Sequence, residues 1–224
     1  MQFYPLLLNT RGLSCLLVGA GEVGCRKLHA LLDTEVAEIL VLDPAPSPTC
    51  EALARDPRVH LERRVFVPSD ITGRNLVFVA TPDRTVNALV LTTCKAHGIL
   101  CNSADGPEDN GFIVPATLQR GRITLSLSTQ GASPALTRYL REQLEHFLDD
   151  RYTGMAELLA RLRPMLVQAD DNTSAHTALF RQLVRSGLGE ALAGKKRDSC
   201  VAILQELLPD SLHPRITELL YELC

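Results

Sequence analysis

Three glycines near the start of the chain have the spacing of a dinucleotide-binding loop. The run 19–24, GAGEVG, follows an apolar stretch and precedes a helical pattern, and this order is typical of a GxGxxG motif that binds a pyrophosphate. Gly19 would permit a tight turn, Gly21 would let the backbone approach the phosphates, and Gly24 would let the helix pack against the strand. The alternative is a glycine turn in an α/β unit that binds no nucleotide.

Residues next to this loop extend the prediction to a particular cofactor. The backbone amides of Glu22 and Val23 open the helix, where the positive end of its dipole favours phosphate groups. A second apolar run ends at Asp43, about 20 residues beyond the glycines, where a carboxylate accepts hydrogen bonds from a ribose 2′-OH. Because a carboxylate there repels a 2′-phosphate, we expect NAD rather than NADP.

Asp105 is the candidate catalytic residue. It follows a short apolar run and is flanked by Ser103, Ala104 and Gly106, whose small side chains leave room for a large ligand. A carboxylate that is partly desolvated by a bound ring system could accept or relay a proton. The alternative is an aspartate that only forms a turn before glycine.

A stretch without acidic residues suggests that the ligand is itself acidic. Between residues 112 and 141 the chain has no Asp or Glu, but it has four arginines: Arg120, Arg122, Arg138 and Arg141. Arginine binds carboxylates with a forked set of donors and stays charged, so we interpret Arg120 and Arg138 as candidate substrate ligands. The alternative for each arginine is a solvated side chain that pairs with an acid elsewhere.

The elements that must position these residues alternate between strands and helices in the first half of the chain. Strands are predicted at 13–18, 39–42, 59–65, 75–80 and 99–101. The alternation predicts an α/β fold of the Rossmann type, with a doubly wound parallel sheet. Ligands of such sheets bind at the carboxyl ends of the strands, which places Thr81, Asn102 and Asp105 around one crevice with the glycine loop.

The pattern changes near residue 112. Extended segments are predicted at 112–115 and 123–128, a helix begins at Ser133-Pro134, and further helix patterns follow at 155–167, 177–186, 199–208 and 214–223. We therefore predict three parts. They are an NAD-binding Rossmann domain at 1–111, a bridging and dimerisation segment at 112–150, and a small all-helical domain at 151–224.

The composition limits the class of protein. The 224 residues are 46% hydrophobic and 22% charged, as in globular proteins, and the formal net charge of −3 argues against a nucleic-acid binder. No apolar run approaches the roughly 20 residues of a transmembrane helix, and the N-terminus lacks the features of a signal peptide. Seven cysteines without CxxC spacing and six scattered histidines favour neither disulfides nor a metal site. We expect a cytoplasmic protein without a protein-held metal.

Five segments together resemble the precorrin-2 dehydrogenase family, which includes part of the bacterial siroheme synthases. They are Tyr4-Pro5-Leu6, VGAGEVGCRK at 18–27, Ala80-Thr81, CNSAD at 101–105 and GASPAL at 131–136. The resemblance implies NAD-dependent dehydrogenation of precorrin-2, a tetrapyrrole, to sirohydrochlorin for siroheme or cobalamin biosynthesis. It also implies a homodimer that exchanges its middle segment. In this reading Asp105 is catalytic, the arginines meet a polycarboxylate ring, and the residues that contact NAD are Glu22, Val23, Asp43 and Pro44.

The chain departs from the family pattern at two positions. Family members often carry alanine or serine where Gly24 stands, and we expect helix packing to tolerate that change. Some members have a phosphorylated serine just before the GASP segment, where this chain has Thr129. Some also insert a metal into sirohydrochlorin, and nothing in the sequence decides whether this chain does. The alternative functions are a non-catalytic NAD-sensing module and an NAD-dependent dehydrogenase of another acidic metabolite.

Overall fold

The computed structural model describes residues 3–105, 110–169 and 172–224. The chain forms two compact units, Met1–Val114 and Pro115–Cys224, and each is described by itself. The predicted dimerisation segment at 112–150 concerns pairing between copies of the chain, and it stays a prediction. Gly106, one of the small residues that flank Asp105 in the sequence, lies outside the described residues.

The first unit is built on a five-stranded parallel sheet. Its strands lie side by side in the order β3-β2-β1-β4-β5. The register pairs Val18, at the end of β1, with Leu42 on one side and Val79 on the other, so three central strands end at the same level. In chain order the strands are β1 (Ser14–Val18), β2 (Glu38–Leu42), β3 (Val59–Glu62), β4 (Leu76–Val79) and β5 (Leu100–Ser103).

Apolar residues cover this sheet on both faces. The residues of β1 alternate between two clusters, with Leu17 in one and Leu16 and Val18 in the other. Strands that are buried on both faces have nearly continuous apolar sequences, as observed here. Two helices contribute to the first cluster and one to the second: α1 (Glu22–Leu32) and α2 (Pro48–Leu53), then α3 (Arg84–Ala96). The predicted doubly wound Rossmann-type sheet is confirmed.

The second unit combines a small antiparallel sheet with helices. Strands β6 (Ala116–Arg120) and β7 (Ile123–Leu127) pair with each other. One apolar core includes Leu158, Leu183 and Leu204, whereas no residue of the first helix of this unit is buried. The helices are α4 (Pro134–Phe147), α5 (Asp150–Ala169), α6 (Thr173–Arg185), α7 (Leu188–Ala193), α8 (Arg197–Leu207) and α9 (Ile216–Leu219).

Several predicted bounds differ from the observed ones: α5 and α6 begin four to five residues before the predicted starts, β5 extends to Ser103, and α7 was not predicted. Three further differences have a clear physical reason. Strand β3 ends at Glu62 rather than at residue 65. Its partner β2 ends at Leu42, which pairs with Glu62, so no partner strand remains for residues 63–65. The segment at 112–115 belongs to neither sheet, and β6 begins only after Pro115, which has no N–H to donate. The helix predicted at 214–223 is a 3₁₀ turn followed by the short α9, because Pro214 cannot donate the hydrogen bond of a regular helix.

Candidate functional site

The glycine loop is held by backbone contacts that leave no room for a side chain at two positions. Gly19 has a φ of +100°, and a Cβ there would lie 2.5 Å from the carbonyl oxygen of Ala80. A Cβ at Gly24 would lie 2.0 Å from the carbonyl oxygen of Gly19. The loop therefore packs closely against α1 and the end of β4, as the motif predicts. The expected tolerance of a small side chain at Gly24 is wrong for this backbone.

Gly21 differs from the other two glycines, because a Cβ there would meet no atom of the described residues within 4 Å. It precedes α1 without a side-chain capping bond, and the exposed residues Glu22 and Val23 follow it in the first turn. The first amides of a helix lack intrahelical acceptors, so this opening can bind an anion. Space that the protein does not fill at Gly21 fits the close approach of a dinucleotide phosphate.

Asp43 ties the end of β2 to the glycine loop. Its Oδ2 accepts a hydrogen bond from the Ala20 amide at 2.6 Å, and its Oδ1 accepts one from the Ala45 amide at 2.7 Å. Each carboxylate oxygen has two lone pairs, so both oxygens keep an acceptor position for a ribose hydroxyl. The next residue, Pro44, is exposed. Asp43 can therefore position the loop and bind a ribose at the same time.

Asp105 follows β5 at the carboxyl edge of the same sheet. Its amide donates to Ser103 Oγ at 3.2 Å, and its Oδ2 accepts a hydrogen bond from Asn87 Nδ2 at 2.7 Å. The Asn87 side chain also accepts a hydrogen bond at Oδ1 from the Thr81 hydroxyl, at 2.7 Å. Because the glycine loop packs against the residue before Thr81, a continuous set of contacts connects that loop with Asp105.

Asn102 is buried on β5 and bonds to two other parts of the first unit. Its Oδ1 accepts a hydrogen bond from Lys27 Nζ at 2.5 Å, and its Nδ2 donates to the Phe112 carbonyl oxygen at 3.0 Å. Lys27 comes from α1 and lies over the Phe78 ring, with Nζ 5.5 Å from the ring centroid. Burial lowers the pKa of the Lys27 ammonium, and the charge of Arg26 adds to this effect. A role of Asn102 in substrate binding stays a prediction.

The arginines of the acid-free stretch have partners within the second unit. Three of them bond to acids that lie outside the stretch in sequence, which supports the alternative of solvated ion pairs. The pairs are Arg122–Glu157 at 2.6 Å, Arg138–Glu142 at 3.1 Å and Arg141–Glu145 at 3.5 Å, and Arg120 donates to the Leu148 carbonyl oxygen. The Arg138 side chain is 80% exposed, and such pairs are weak. Substrate binding by Arg120 and Arg138 stays a prediction.

The described residues, 3–105, 110–169 and 172–224, present neither a metal-ligand cluster nor a membrane-spanning helix. Within these ranges, no cluster of three His, Cys, Asp or Glu residues could hold a metal ion, and no helix is long and apolar enough to cross a membrane. The seven cysteines are free thiols and six are buried. Burial raises the pKa of Cys15 to about 11 and that of Cys50 to about 12, so both are protonated, weak nucleophiles at neutral pH.

The chain is similar to known proteins in sequence and in structure. A family model described as putative NAD(P)-binding matches residues 6–116. The siroheme synthases of Methylococcus capsulatus and Pseudoalteromonas atlantica are 36% and 31% identical over 206 and 208 residues, which are 92% and 93% of this chain. The solved structure of SirC, a precorrin-2 dehydrogenase, has 26% identity and a TM-score of 0.74, and the match covers 92% of this chain and 98% of SirC. The chain belongs to the family of SirC and the siroheme synthases.

Membership in the SirC and siroheme synthase family confirms the resemblance that the five segments indicated. It also confirms a domain that binds a nicotinamide dinucleotide, because the region matched by the NAD(P)-binding model contains the glycine loop, Asp43 and Asp105. The chain spans less than half the length of these two siroheme synthases, 43% and 45%.

Two residues of the site, Asn87 and Lys27, were missed by sequence reasoning. Asn87 stands three residues before the buried Val90, so it is a polar residue on the apolar face of α3. Lys27 stands three residues after Gly24 and four before Leu31, both of which are buried. The sequence did contain a signal for both residues, since each is a polar or charged residue on the apolar stripe of a helix. Such groups are buried only with hydrogen-bond partners, so this position indicates a bond to another part of the unit.

Proposed function

We propose that this protein is an NAD-dependent dehydrogenase that oxidises precorrin-2 to sirohydrochlorin, on the route to siroheme or cobalamin. The observation that carries the proposal is the Asp105 carboxylate, which a buried amide holds at the edge of the sheet beside the glycine loop. This chain matches SirC over nearly all of that protein's length, and SirC is named as a precorrin-2 dehydrogenase. The name supports precorrin-2 as the substrate.

The residues of the first unit fit NAD. The open space at Gly21 and the helix start at Glu22 suit a pyrophosphate, and Asp43 keeps acceptor positions for a ribose while it disfavours a 2′-phosphate. Thr81, next to the loop, completes the edge against which the cofactor would lie. When bound, NAD accepts a hydride from the substrate.

Asp105 would take the proton that leaves the substrate during this oxidation. The reaction removes a hydride and a proton together, so a base near the reacting carbon is needed. The carboxylate has Oδ2 bonded to Asn87, and Oδ1 is the oxygen that would accept the proton. Asn102 in the first unit and Arg120 and Arg138 in the second are each candidates for binding a substrate carboxylate. Among the described residues, the one bond recorded for the Arg138 side chain is its exposed pair with Glu142.

The proposal includes a homodimer and a cytoplasmic location. Helix α4 has no buried residue, and its apolar side chains Leu136, Tyr139 and Phe147 are 48%, 57% and 58% exposed. A two-stranded sheet is marginally stable by itself, so β6, β7 and α4 would be stabilised against a second copy. Six buried free thiols suit a reducing compartment.

The experiment is an anaerobic incubation of the purified protein with precorrin-2 and NAD, in which the absorbance of NADH and of sirohydrochlorin is recorded over time. We expect NADH and the sirohydrochlorin spectrum to appear together, and a lower rate with NADP. Asp105→Ala should keep NAD binding and lose about 100-fold or more in turnover, the scale of general base catalysis. Asp33→Ala, which removes an exposed aspartate of the first unit, is the matched control and should keep full turnover.

Each outcome of this experiment has a clear meaning. NAD binding without turnover would mean that the protein is an NAD-sensing module and not an enzyme. Turnover only with a different acidic substrate would mean that the natural substrate is not a tetrapyrrole. Full turnover by Asp105→Ala would reduce Asp105 to a turn residue. Cobalt or ferrous iron added after the oxidation tests metal insertion: a spectral change faster than in a protein-free control would mean that the protein also inserts the metal.

A further inference from the structure

The side chain of Asn87 is buried and all of its amide hydrogens are used. It is 2% exposed and lies on α3, facing the ends of β4 and β5. Its Nδ2 donates to the Thr81 carbonyl oxygen at 2.9 Å and to Asp105 Oδ2 at 2.7 Å. Its Oδ1 accepts from the Thr81 hydroxyl at 2.7 Å. A side-chain amide has two N–H donors, so both are committed to these two residues.

The chemistry of the partners fixes which end of this amide faces Asp105. The Thr81 carbonyl oxygen can only accept a hydrogen bond, so the nitrogen of Asn87 must face it. The second hydrogen of that nitrogen then points to the carboxylate. The reversed amide would put its oxygen against two acceptors and would leave buried polar atoms without partners, which is costly. Thr81 therefore orients Asn87, and Asn87 orients Asp105.

We propose that Asn87 is a positioning residue for proton transfer by Asp105, an inference that rests on the proposed function. Asp105 is exposed and lies at the end of a strand, where a carboxylate rotates freely unless something holds it. Across the described ranges, 3–105, 110–169 and 172–224, no other side chain bonds this carboxylate. The bond to Oδ2 selects one rotamer and reserves Oδ1 for the proton. Pre-organisation of this kind acts on kcat rather than on cofactor affinity.

A double-mutant cycle tests this coupling. Asn87→Ala should lower kcat for precorrin-2 oxidation about 10-fold and leave the Kd for NAD within about twofold. In the Asp105→Ala background, Asn87→Ala should cause no further loss, because residues that act as a unit are not additive. Thr92→Ala, which removes the hydroxyl of an exposed residue from the same helix, is the control and should keep wild-type kcat. An equal loss of kcat in both backgrounds would overturn the proposal, since it would mean that Asn87 only supports the fold.

A second measurement needs neither turnover nor a folded Asn87 variant. In 15N–1H NMR spectra of the whole chain, one of the two Asn87 Nδ2 proton resonances should move when Asp105 is replaced by Ala, while the proton bonded to the Thr81 carbonyl stays in place. If neither resonance moves, the contact is absent and the proposal fails. If wild-type protein does not oxidise precorrin-2 but the resonance moves, the proposed function fails and the Asn87–Asp105 contact stands.

Discussion

In the first unit, the candidate cofactor residues are held by backbone hydrogen bonds: the Gly19 amide donates to the Leu42 carbonyl oxygen, and Asp43 accepts from the amides of Ala20 and Ala45. In the second unit, the candidate substrate residue Arg138 is held by a side-chain pair that lies largely in solvent. Backbone contacts leave one arrangement, whereas an exposed ion pair contributes little and can exchange partners. We therefore expect the candidate cofactor residues of the first unit to tolerate substitution less well than the candidate substrate residue Arg138 of the second.

The units also differ in how they bury apolar surface. In the first unit every strand of the sheet is covered by helices of the same unit. In the second unit, the leucines of α5 to α9 form a dense core, but α4 leaves Tyr139 and Phe147 more than half exposed. One element of the second unit therefore has an apolar face that its own unit does not cover.

The largest expected effect compares two leucines of the second unit. Leu158 is fully buried and Leu136 is 48% exposed. Leu158→Ala should lower the free energy of unfolding by about 2 to 5 kcal/mol, measured by chemical denaturation. Leu136→Ala should change it by less than about 0.5 kcal/mol in the monomer and weaken the dimer, measured by analytical ultracentrifugation. A dimer of unchanged affinity would show that the exposed face of α4 is not the interface.

The next effect compares two glycines of the loop. Gly24→Ala should lower the free energy of unfolding by about 1 to 3 kcal/mol, because its Cβ would meet the Gly19 carbonyl oxygen. Gly21→Ala should leave stability almost unchanged, since that Cβ meets no described atom, and it should weaken NAD binding at least 10-fold in a calorimetric titration. Equal stability of the two variants would mean that the loop backbone shifts at little cost. Backbone contacts would then not make the cofactor residues less tolerant to substitution than Arg138.

The glycine roles could be predicted because their requirements are local in sequence. A tight turn and a close helix–strand approach are encoded within six residues, and Asp43 follows at a typical distance. Helices α5, α6 and α8 could be predicted from the spacing of their leucines, whereas the short α7 was not predicted. The Asn87–Asp105 bond could not, because it joins residues 18 apart in different elements, and only the pairing of β4 with β5 brings them together.

The same reason explains why the ion pairs of these arginines could not be predicted. Absence of acids near Arg122 in sequence does not exclude a pair with Glu157, which is 35 residues away. Arg138 pairs with Glu142, one helical turn later and one residue beyond the end of the acid-free stretch. Local composition describes neighbours along the chain, whereas a long side chain chooses among neighbours in space.

Acid should affect the first unit through Asp70. Its carboxylate is 8% exposed and receives two hydrogen bonds from Arg64, at 2.7 and 2.8 Å, and these hold its pKa below the usual value, helped by the Val67 amide. A lowered folded-state pKa gives stability that is fully present above the unfolded-state value of about 3.9 and is lost as pH falls through the folded-state value.

Asp70→Asn should therefore cost about 1 to 2 kcal/mol of unfolding free energy at pH 7. The difference from wild type should shrink as pH falls below about 4. Arg151 also lowers the pKa of Asp149, but the Asp149 side chain is 42% exposed. Asp149→Asn should therefore reduce the free energy of unfolding by less than Asp70→Asn does. Denaturant curves between neutral and acid pH measure both. A constant difference for Asp70→Asn across that range would show that the ion pair does not contribute to acid stability.

The smallest effect on stability, and the sharpest test of the second unit, is Arg138→Gln. Its exposed pair with Glu142 should contribute less than about 0.5 kcal/mol to the free energy of unfolding. If the pair exchanges for a substrate carboxylate, the KM for precorrin-2 should rise about 10-fold while the affinity for NAD stays the same, because NAD residues belong to the first unit. Arg181→Gln, which removes an exposed arginine from α6, is the matched control and should change neither. An unchanged KM for Arg138→Gln would leave this arginine as a surface pair, and recognition of the ring carboxylates would then fall to other residues, with Arg120 and Asn102 as the next candidates.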